Sequence, residues 1–134
     1  MTELATGKTF ELTVTKQYDM QILADTITTA IEGGIGYWSL CTEYKWQDRE
    51  PHEVLAKVEI EPELKDEEDE DEYLIDCSVV QRGLKRLLSG DVRIDHTIMG
   101  YIHQSLSDND AGMIDAIAAD CIVQAGLFNE VRYG

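Results

Sequence analysis

The fold is decided by residues 38–60, which read WSLCTEYKWQDREPHEVLAKVEI. Apolar or bulky side chains occupy every second position in both halves of this stretch: Trp38, Leu40, Thr42, Tyr44 and Trp46, then Val54, Ala56, Val58 and Ile60. A period of two places alternate side chains on one face of a β-strand. With a turn at residues 47–51 between them, the two halves predict an antiparallel hairpin.

The segments on both sides of this hairpin complete the predicted architecture. Phe10, Leu12 and Val14 alternate with polar residues and predict another strand over residues 9–15, and a short strand is predicted at 73–75. Apolar residues at helical spacing predict four helices, over residues 19–33, 80–88, 94–106 and 114–128. The sequence therefore predicts one α+β domain over residues 1–134, with an antiparallel sheet of three to four strands, about four helices and a helical carboxy-terminal half.

The ends and faces of the predicted helices follow from individual residues. Asp19 is a candidate N-cap of the first helix, and Asp76 or Ser78 caps the second, because short polar side chains accept the first free backbone N–H groups. In the last helix the apolar residues fall on one side. Asp115, Asp120 and Gln124 fall on the other.

The most informative feature for function is an unbroken run of seven carboxylates: Asp66, Glu67, Glu68, Asp69, Glu70, Asp71 and Glu72. The chain carries 27 acidic and 11 basic residues, and even without the run 20 acidic residues remain, which leaves a net charge of −9. Such a polyanion repels nucleic acid, but it attracts the basic groove of a protein that binds nucleic acid. Since blocks of like charge usually stay hydrated, we expect residues 62–72 to form a mobile loop, which either contacts a basic partner or is merely solvated.

Other patterns argue against a catalytic, metal or cofactor site. Residues 33–36, GGIG, close a predicted helix and precede a strand, which is the reverse of a phosphate-binding loop. The three cysteines form no CxxC pair, and His96 and His103 are seven positions apart, too far for direct chelation on one helix. No motif supplies an activated nucleophile. We therefore expect a protein that is not an enzyme and that needs no metal or cofactor.

One cluster of basic residues occurs in this otherwise acidic chain. It comprises Arg82, Lys85, Arg86 and Arg93. Cations near the carboxy-terminal end of a helix complement its dipole, so a structural role is favoured. The functional alternative is an anion-binding pocket, in which these side chains would hold a small phosphorylated ligand together with Tyr37 or Trp38 of another subunit in a homo-oligomer.

Nothing in the sequence predicts secretion or insertion into a membrane. The first residues, MTELA, do not combine a basic region with a following apolar one, and no stretch approaches the roughly 18 apolar residues of a membrane span. Three isolated cysteines suit a reducing compartment. We therefore expect a cytoplasmic protein.

Two stretches also carry a resemblance, EGGIGYW at residues 32–38 and IVQAGLFNEVRYG at residues 122–134. They resemble segments of small uncharacterised proteins encoded by bacteriophages and prophages, and the similarity extends over most of the chain. The resemblance brings no catalytic residues with it. It implies a phage setting inside an infected bacterial cell, where small acidic proteins frequently block a host enzyme or defence complex.

Three functions follow from these observations. The leading prediction is an inhibitor that binds a basic host protein, either a nucleic-acid-binding protein or a defence protein, with its carboxylates in the place of phosphates. The first alternative is an oligomeric protein that sequesters a small anionic, nucleotide-like signal at the basic cluster. The second alternative is a component of the virion or of its assembly.

Overall fold

A computed structural model describes residues 7–47 and 53–134. In chain order it contains α1 (Gln21–Thr29), a π-helical turn (Ala30–Gly34), β1 (Ser39–Gln47), β2 (Glu53–Ile60), β3 (Tyr73–Ile75), α2 (Cys77–Leu88), α3 (His96–Asp108) and α4 (Ala116–Phe128). The strands form one antiparallel sheet in the order β1-β2-β3. The predicted α+β fold, with its antiparallel sheet and helical carboxy-terminal part, is confirmed. The predicted turn at 47–51 lies, apart from its first residue, outside the described residues.

The hairpin forms as predicted, but a bulge divides the faces of β1. Its pairing with β2 shifts within residues 41–43, and one extra residue in a strand reverses the alternation beyond it. Leu40 pairs with the exposed Glu59 and therefore lies on the outer face of the sheet. Tyr44 pairs with the buried Ala56 and lies on the face that the helices cover. The prediction that all alternate residues of this strand share one face is therefore wrong.

Residues 9–15 do not form the strand that their alternation predicts. The side chains of Phe10, Leu12 and Val14 are 79%, 75% and 73% exposed. A strand needs a neighbour that pairs with its backbone N–H and C=O groups, and no described segment of this chain takes that place. The sheet in the described part of the chain consequently has three strands, at the lower end of the predicted range.

The core lies between β2 and the helices, with α4 at its centre. The alternate residues of β2 are buried as predicted: Val54, Ala56, Val58 and Ile60. Along α4 every residue from Ala118 to Gly126 is buried. A helix that is buried on all sides must satisfy any polar side chain internally. This condition determines the site described below.

The helices α2 and α4 cross where each contributes a glycine. A Cβ atom at Gly83 would overlap the carbonyl oxygen of Ile122, and one at Gly126 would overlap that of Val79. The two backbones approach so closely because neither glycine has a side chain. The α2–α4 packing therefore depends on glycine at both positions.

Replacing Gly83 with alanine should lower the free energy of unfolding by about 2 kcal/mol or more, because the added methyl group must push the helix backbones apart. Gly100→Ala is the matched control, since this exposed glycine of α3 has no heavy atom near the position of a Cβ. The control should be neutral or stabilise by up to about 1 kcal/mol, as expected for alanine in a helix interior. Denaturant unfolding followed by circular dichroism compares the two variants. Equal stabilities would contradict the close α2–α4 approach.

Candidate functional site: an acidic loop held by the carboxy-terminal tail

The acidic loop, residues 61–72, connects β2 to β3 and concentrates the charge of the chain. It contains nine carboxylates and one lysine. Of the seven consecutive acidic residues, all except Asp69 are exposed. Within the described structure, the side chains of Glu67, Glu68 and Glu70 form no ion pair with a basic residue. These three carboxylates are therefore available to a partner.

Asp69 anchors the middle of the loop. Its side chain is only 5% exposed and accepts hydrogen bonds from both terminal nitrogens of Arg132, at 2.8 and 3.3 Å. The backbone N–H of Asp66 and the hydroxyl of Tyr73 also donate to this carboxylate, at 2.9 and 3.1 Å. The Arg132 guanidinium is the main cause that lowers the pKa of Asp69 to about 2. Asp69 is therefore a charged anchor that faces inward.

Hydrogen bonds also shape the backbone of the loop. The carbonyl oxygen of Glu61 accepts from the N–H groups of Leu64 and Lys65, at 2.9 and 3.1 Å. Further along, the N–H of Asp69 donates to the carbonyl of Asp66 at 3.1 Å. Two turns therefore follow one another in the loop: Glu67 and Glu68 lie within the second turn, and Glu70 comes directly after it. That residues 62–72 are mobile in solution stays a prediction.

The carboxy-terminal tail, residues 129–134, carries the arginine that holds the loop. The guanidinium of Arg132 lies over the rings of Phe128 and Tyr133, 4.6 and 5.3 Å from their centres. The fully buried amide of Gln124 binds the tail itself: it accepts from the N–H of Tyr133 at 2.9 Å and donates to the carbonyl of the same residue at 3.1 Å. Gln124 thus holds the tail backbone much as a neighbouring strand would.

Beneath the tail lies the buried carboxylate of Asp120, one turn before Gln124. One of its oxygens accepts from Trp38 Nε1 at 2.9 Å and from Gln124 Nε2 at 2.8 Å, and the other accepts from the hydroxyl of Tyr37. Burial, together with the hydrogen bond to Asp120, raises the pKa of Tyr37. The polar side that the helical pattern predicts for α4 is buried at Asp120 and Gln124, because the tail and residues 37–38 cover it.

Trp38 belongs to the same network and has no exposed ring face. It is fully buried, stacks on Tyr133 with ring centres 5.3 Å apart, and meets the edge of Phe128 at 5.6 Å. The ring of Tyr37 is about half exposed, but its hydroxyl is bound to a carboxylate. The stretches EGGIGYW and IVQAGLFNEVRYG therefore meet in one hydrogen-bonded and stacked cluster.

The basic cluster is not brought to these aromatic residues. Arg82 Nε donates to the carbonyl of Gly126 at 2.8 Å, and Arg86 Nη1 donates to that of Ala125 at 2.7 Å. Both carbonyls belong to the last turn of α4, and that of Ala125 also accepts the backbone N–H of Asn129 at 3.1 Å. The other two members of the cluster, Lys85 and Arg93, are exposed. Across the described ranges, no hydrogen bond, ion pair or cation–π contact joins the cluster to Tyr37 or Trp38.

Many carboxylates outside the acidic loop serve local structure. Five of them accept a backbone N–H at the start of a helix or turn: Asp19, Asp76, Asp95, Asp110 and Asp115. Such caps satisfy donors that the helix itself leaves open. These five carboxylates therefore have a structural role, whereas Glu67, Glu68 and Glu70 of the acidic loop have no such bond in the described structure.

A cavity of about 390 Å³ opens beside the Asp120 network, between the turn at Gly33 and Gly34, the side chain of Ile117 and the tail. Cys121 also lines it, and burial raises the pKa of this thiol to about 11. The protonated thiol is a weak nucleophile at neutral pH.

In the described part of the chain, no three His, Cys, Asp or Glu side chains converge on a metal-binding position. No helix there is long and apolar enough to cross a membrane.

Sequence reasoning did not find Asp120, Gln124, Arg132 and Tyr133 as a site. The available signal was a polar pair spaced by four residues in an otherwise apolar helix, with an aromatic and basic tail shortly after it. Helical periodicity assigns such a pair to the solvent side. Only the course of the tail over α4 shows that the pair is covered.

The Asp69–Arg132 pair should make stability depend on pH in a specific window. Because its folded pKa of about 2 lies below the ordinary 3.8, the contribution of Asp69 is complete above about pH 4 and is lost as the pH falls towards 2. Arg132→Met should cost about 2 kcal/mol at neutral pH and flatten this dependence. Lys65→Met breaks an exposed pair with Asp71 and should change little. Thermal unfolding at several pH values measures both effects, and identical profiles would refute the anchor.

The tail clamp can be tested with two glutamines that have similar local geometry. Gln124 binds the buried Asp120, and Gln104 binds the exposed Asp108, each four residues away and at 2.8 and 2.9 Å. Gln124→Leu should destabilise by about 3 kcal/mol, because it removes one of the donors to the buried Asp120 carboxylate and leaves the N–H of Tyr133 without a partner. Gln104→Leu should change stability by less than about 0.5 kcal/mol. Denaturant unfolding compares them, and a small effect of Gln124→Leu would exclude the clamp.

Comparisons of the chain with protein-family models, with curated proteins and with solved structures gave no match. The resemblance to phage-encoded proteins therefore stays a prediction. Any function has to be argued from the acidic loop, the tail and the network beneath them.

Proposed function

We propose that the chain is a non-enzymatic binding protein whose acidic loop contacts a basic surface of a partner protein. In the phage setting implied by the resemblance, the partner is a host protein of the bacterial cytoplasm that binds nucleic acid or acts in defence, and binding blocks it. The carboxylates of Glu67, Glu68 and Glu70 take positions that phosphates would otherwise occupy.

The observation that carries this proposal is the contrast between Asp69 and its neighbours in the run. Asp69 is paired with Arg132 and nearly buried, whereas Glu67, Glu68 and Glu70 are exposed and unpaired within the described structure. A loop that is anchored at its midpoint loses less conformational entropy on binding than a free one. Its uncompensated charge also steers a basic partner towards it over distances near the Debye length.

The geometry lends less support to capture of a small anion at the basic cluster. Two of its four side chains are engaged by the carbonyls of Ala125 and Gly126, and Tyr37 and Trp38 are bound to a carboxylate. An anionic ligand at these aromatic residues would be repelled by Asp120. The acidic loop is consequently the better candidate surface.

The test neutralises three free carboxylates of the acidic loop. The resulting affinity for a partner is compared with that of a variant in which three carboxylates elsewhere are neutralised. The chain is used to capture proteins from a bacterial lysate, and the affinity of the main captured protein is then measured by titration. Glu67→Gln, Glu68→Gln and Glu70→Gln combined should weaken its binding by about tenfold or more. The control combines Glu32→Gln, Asp91→Asn and Glu130→Gln, three exposed acids on other elements. Its affinity should stay close to that of the unmodified chain.

Two further measurements decide between specific binding and general electrostatics. Affinity should fall steeply as salt rises, since the contact is made of exposed charges. An equal loss in both triple variants, or binding that does not respond to salt, would contradict the proposal. Competition by duplex DNA tests the last step: displacement supports occupation of a nucleic-acid groove, and its absence would contradict the substitution of carboxylates for phosphates.

A further inference from the structure

We propose that residues 9–15 of one chain pair with the outer edge of β1 in a second copy, so that two chains exchange a fourth strand. This inference does not depend on the function proposed above. The described structure leaves both halves of the interface incomplete.

The donor half is the segment of residues 9–15. Its apolar side chains occur at alternate positions, as in a strand with one buried face, yet all three are more than 70% exposed. Its backbone forms no hydrogen bond in the described structure. Three large apolar side chains exposed at alternate positions of one segment are typical of an interaction surface. The segment has the pattern of a strand but lacks a partner.

The acceptor half is β1, an edge strand of nine residues. Among the described residues it pairs with another strand only on its β2 side, so no strand covers its other edge, where the N–H of Ser39 donates to the carbonyl of Ile35 at 3.1 Å. The helix-side ring of Tyr44 is 40% exposed beside this edge. A strand added here would receive backbone hydrogen bonds and could place Phe10, Leu12 and Val14 beside Tyr44.

Charge favours the same arrangement. Residues 7–18 carry Lys8, Lys16 and a single acid, Glu11, so the segment is slightly basic in a chain of net charge −16. It is therefore attracted to the body of a second copy rather than repelled by it. With its apolar face towards the helices, Glu11 would point to the outer face of the sheet. Lys45 of β1, whose ammonium group is bound to Glu43 at 3.0 Å, lies on that face, where it pairs with Leu55 in the register.

The position at which the segment leaves the body favours a second copy over its own sheet. The N–H of Asp19 donates to Asn109 at the end of α3, 2.8 Å away, and residues 16–20 border a groove of about 490 Å³ between α1, α2 and α3. Tyr44 instead meets Thr28 near the other end of α1, at 3.1 Å. The nine residues of α1 separate these ends by about 13 Å. The chain from residue 15 to residue 19 spans at most about 14 Å, so pairing within one chain would require this connection to be fully extended. Reciprocal exchange would give a closed two-fold dimer with two identical interfaces.

Sedimentation velocity of the full chain over a range of concentrations tests the dimer. The unmodified chain should sediment as a dimer and Leu12→Ser as a monomer, with the helical circular dichroism signal of the variant retained. Leu64→Ser is the matched control, because Leu64 is an exposed leucine of the acidic loop, and it should stay dimeric. A monomeric unmodified chain at every concentration, or a dimeric Leu12→Ser variant, would overturn the proposal.

Cross-linking between two distinguishable chains tests the pairing itself. One chain carries Cys41→Ser and a single cysteine at each position from 9 to 15 in turn, and a mass-tagged chain keeps the exposed Cys41 of β1. Cross-links between the two chains should form, with yields that alternate along the segment as side chains alternate across a strand. No cross-link between the two chains at any of the seven positions would refute exchange onto β1.

Discussion

The buried carboxylate of Asp120 is the interaction on which the rest of the structure depends. A charge inside an apolar helix is tolerated only if hydrogen bonds replace its hydration, and Trp38, Tyr37 and Gln124 supply them. These donors connect the start of β1 to α4. The same glutamine binds the tail, and the tail carries Arg132, which holds Asp69. The exposed acidic loop is thus linked to the core through one continuous series of contacts.

This arrangement separates two uses of the same chemical group. Carboxylates that cap helices, lie in the core or pair with arginine have partners inside the chain, and these contacts stabilise the fold. The carboxylates of Glu67, Glu68 and Glu70 have none in the described structure, although they are carried by a segment whose midpoint is fixed. An unpaired charge on a loop whose midpoint is fixed is suited to recognition, because the loop loses little conformational entropy when a partner binds.

Local patterns predicted most of the secondary structure. The alternation of Val54 to Ile60 and the helical spacing after residue 76 were interpreted correctly, since periodicity and capping depend on neighbouring residues only. The reversal of faces along β1 and the burial of Asp120 could not be predicted from residue spacing, for a common reason. A bulge and a covering tail are contacts between distant segments, and neither leaves a mark on the spacing of residues within its own element.

Composition, periodicity and capping residues were therefore sufficient for the α+β class, the hairpin and the concentration of charge between β2 and β3. Folding in three dimensions decided which carboxylates stay free: it turned Asp69 inward to Arg132, buried Asp120 under the tail, and engaged Arg82 and Arg86 with α4. The physical reason is that burial and pairing depend on distances between segments far apart in sequence. It also left residues 9–15, which have the residue pattern of a strand, without a partner strand in the described structure. A strand needs the hydrogen bonds of a neighbouring strand.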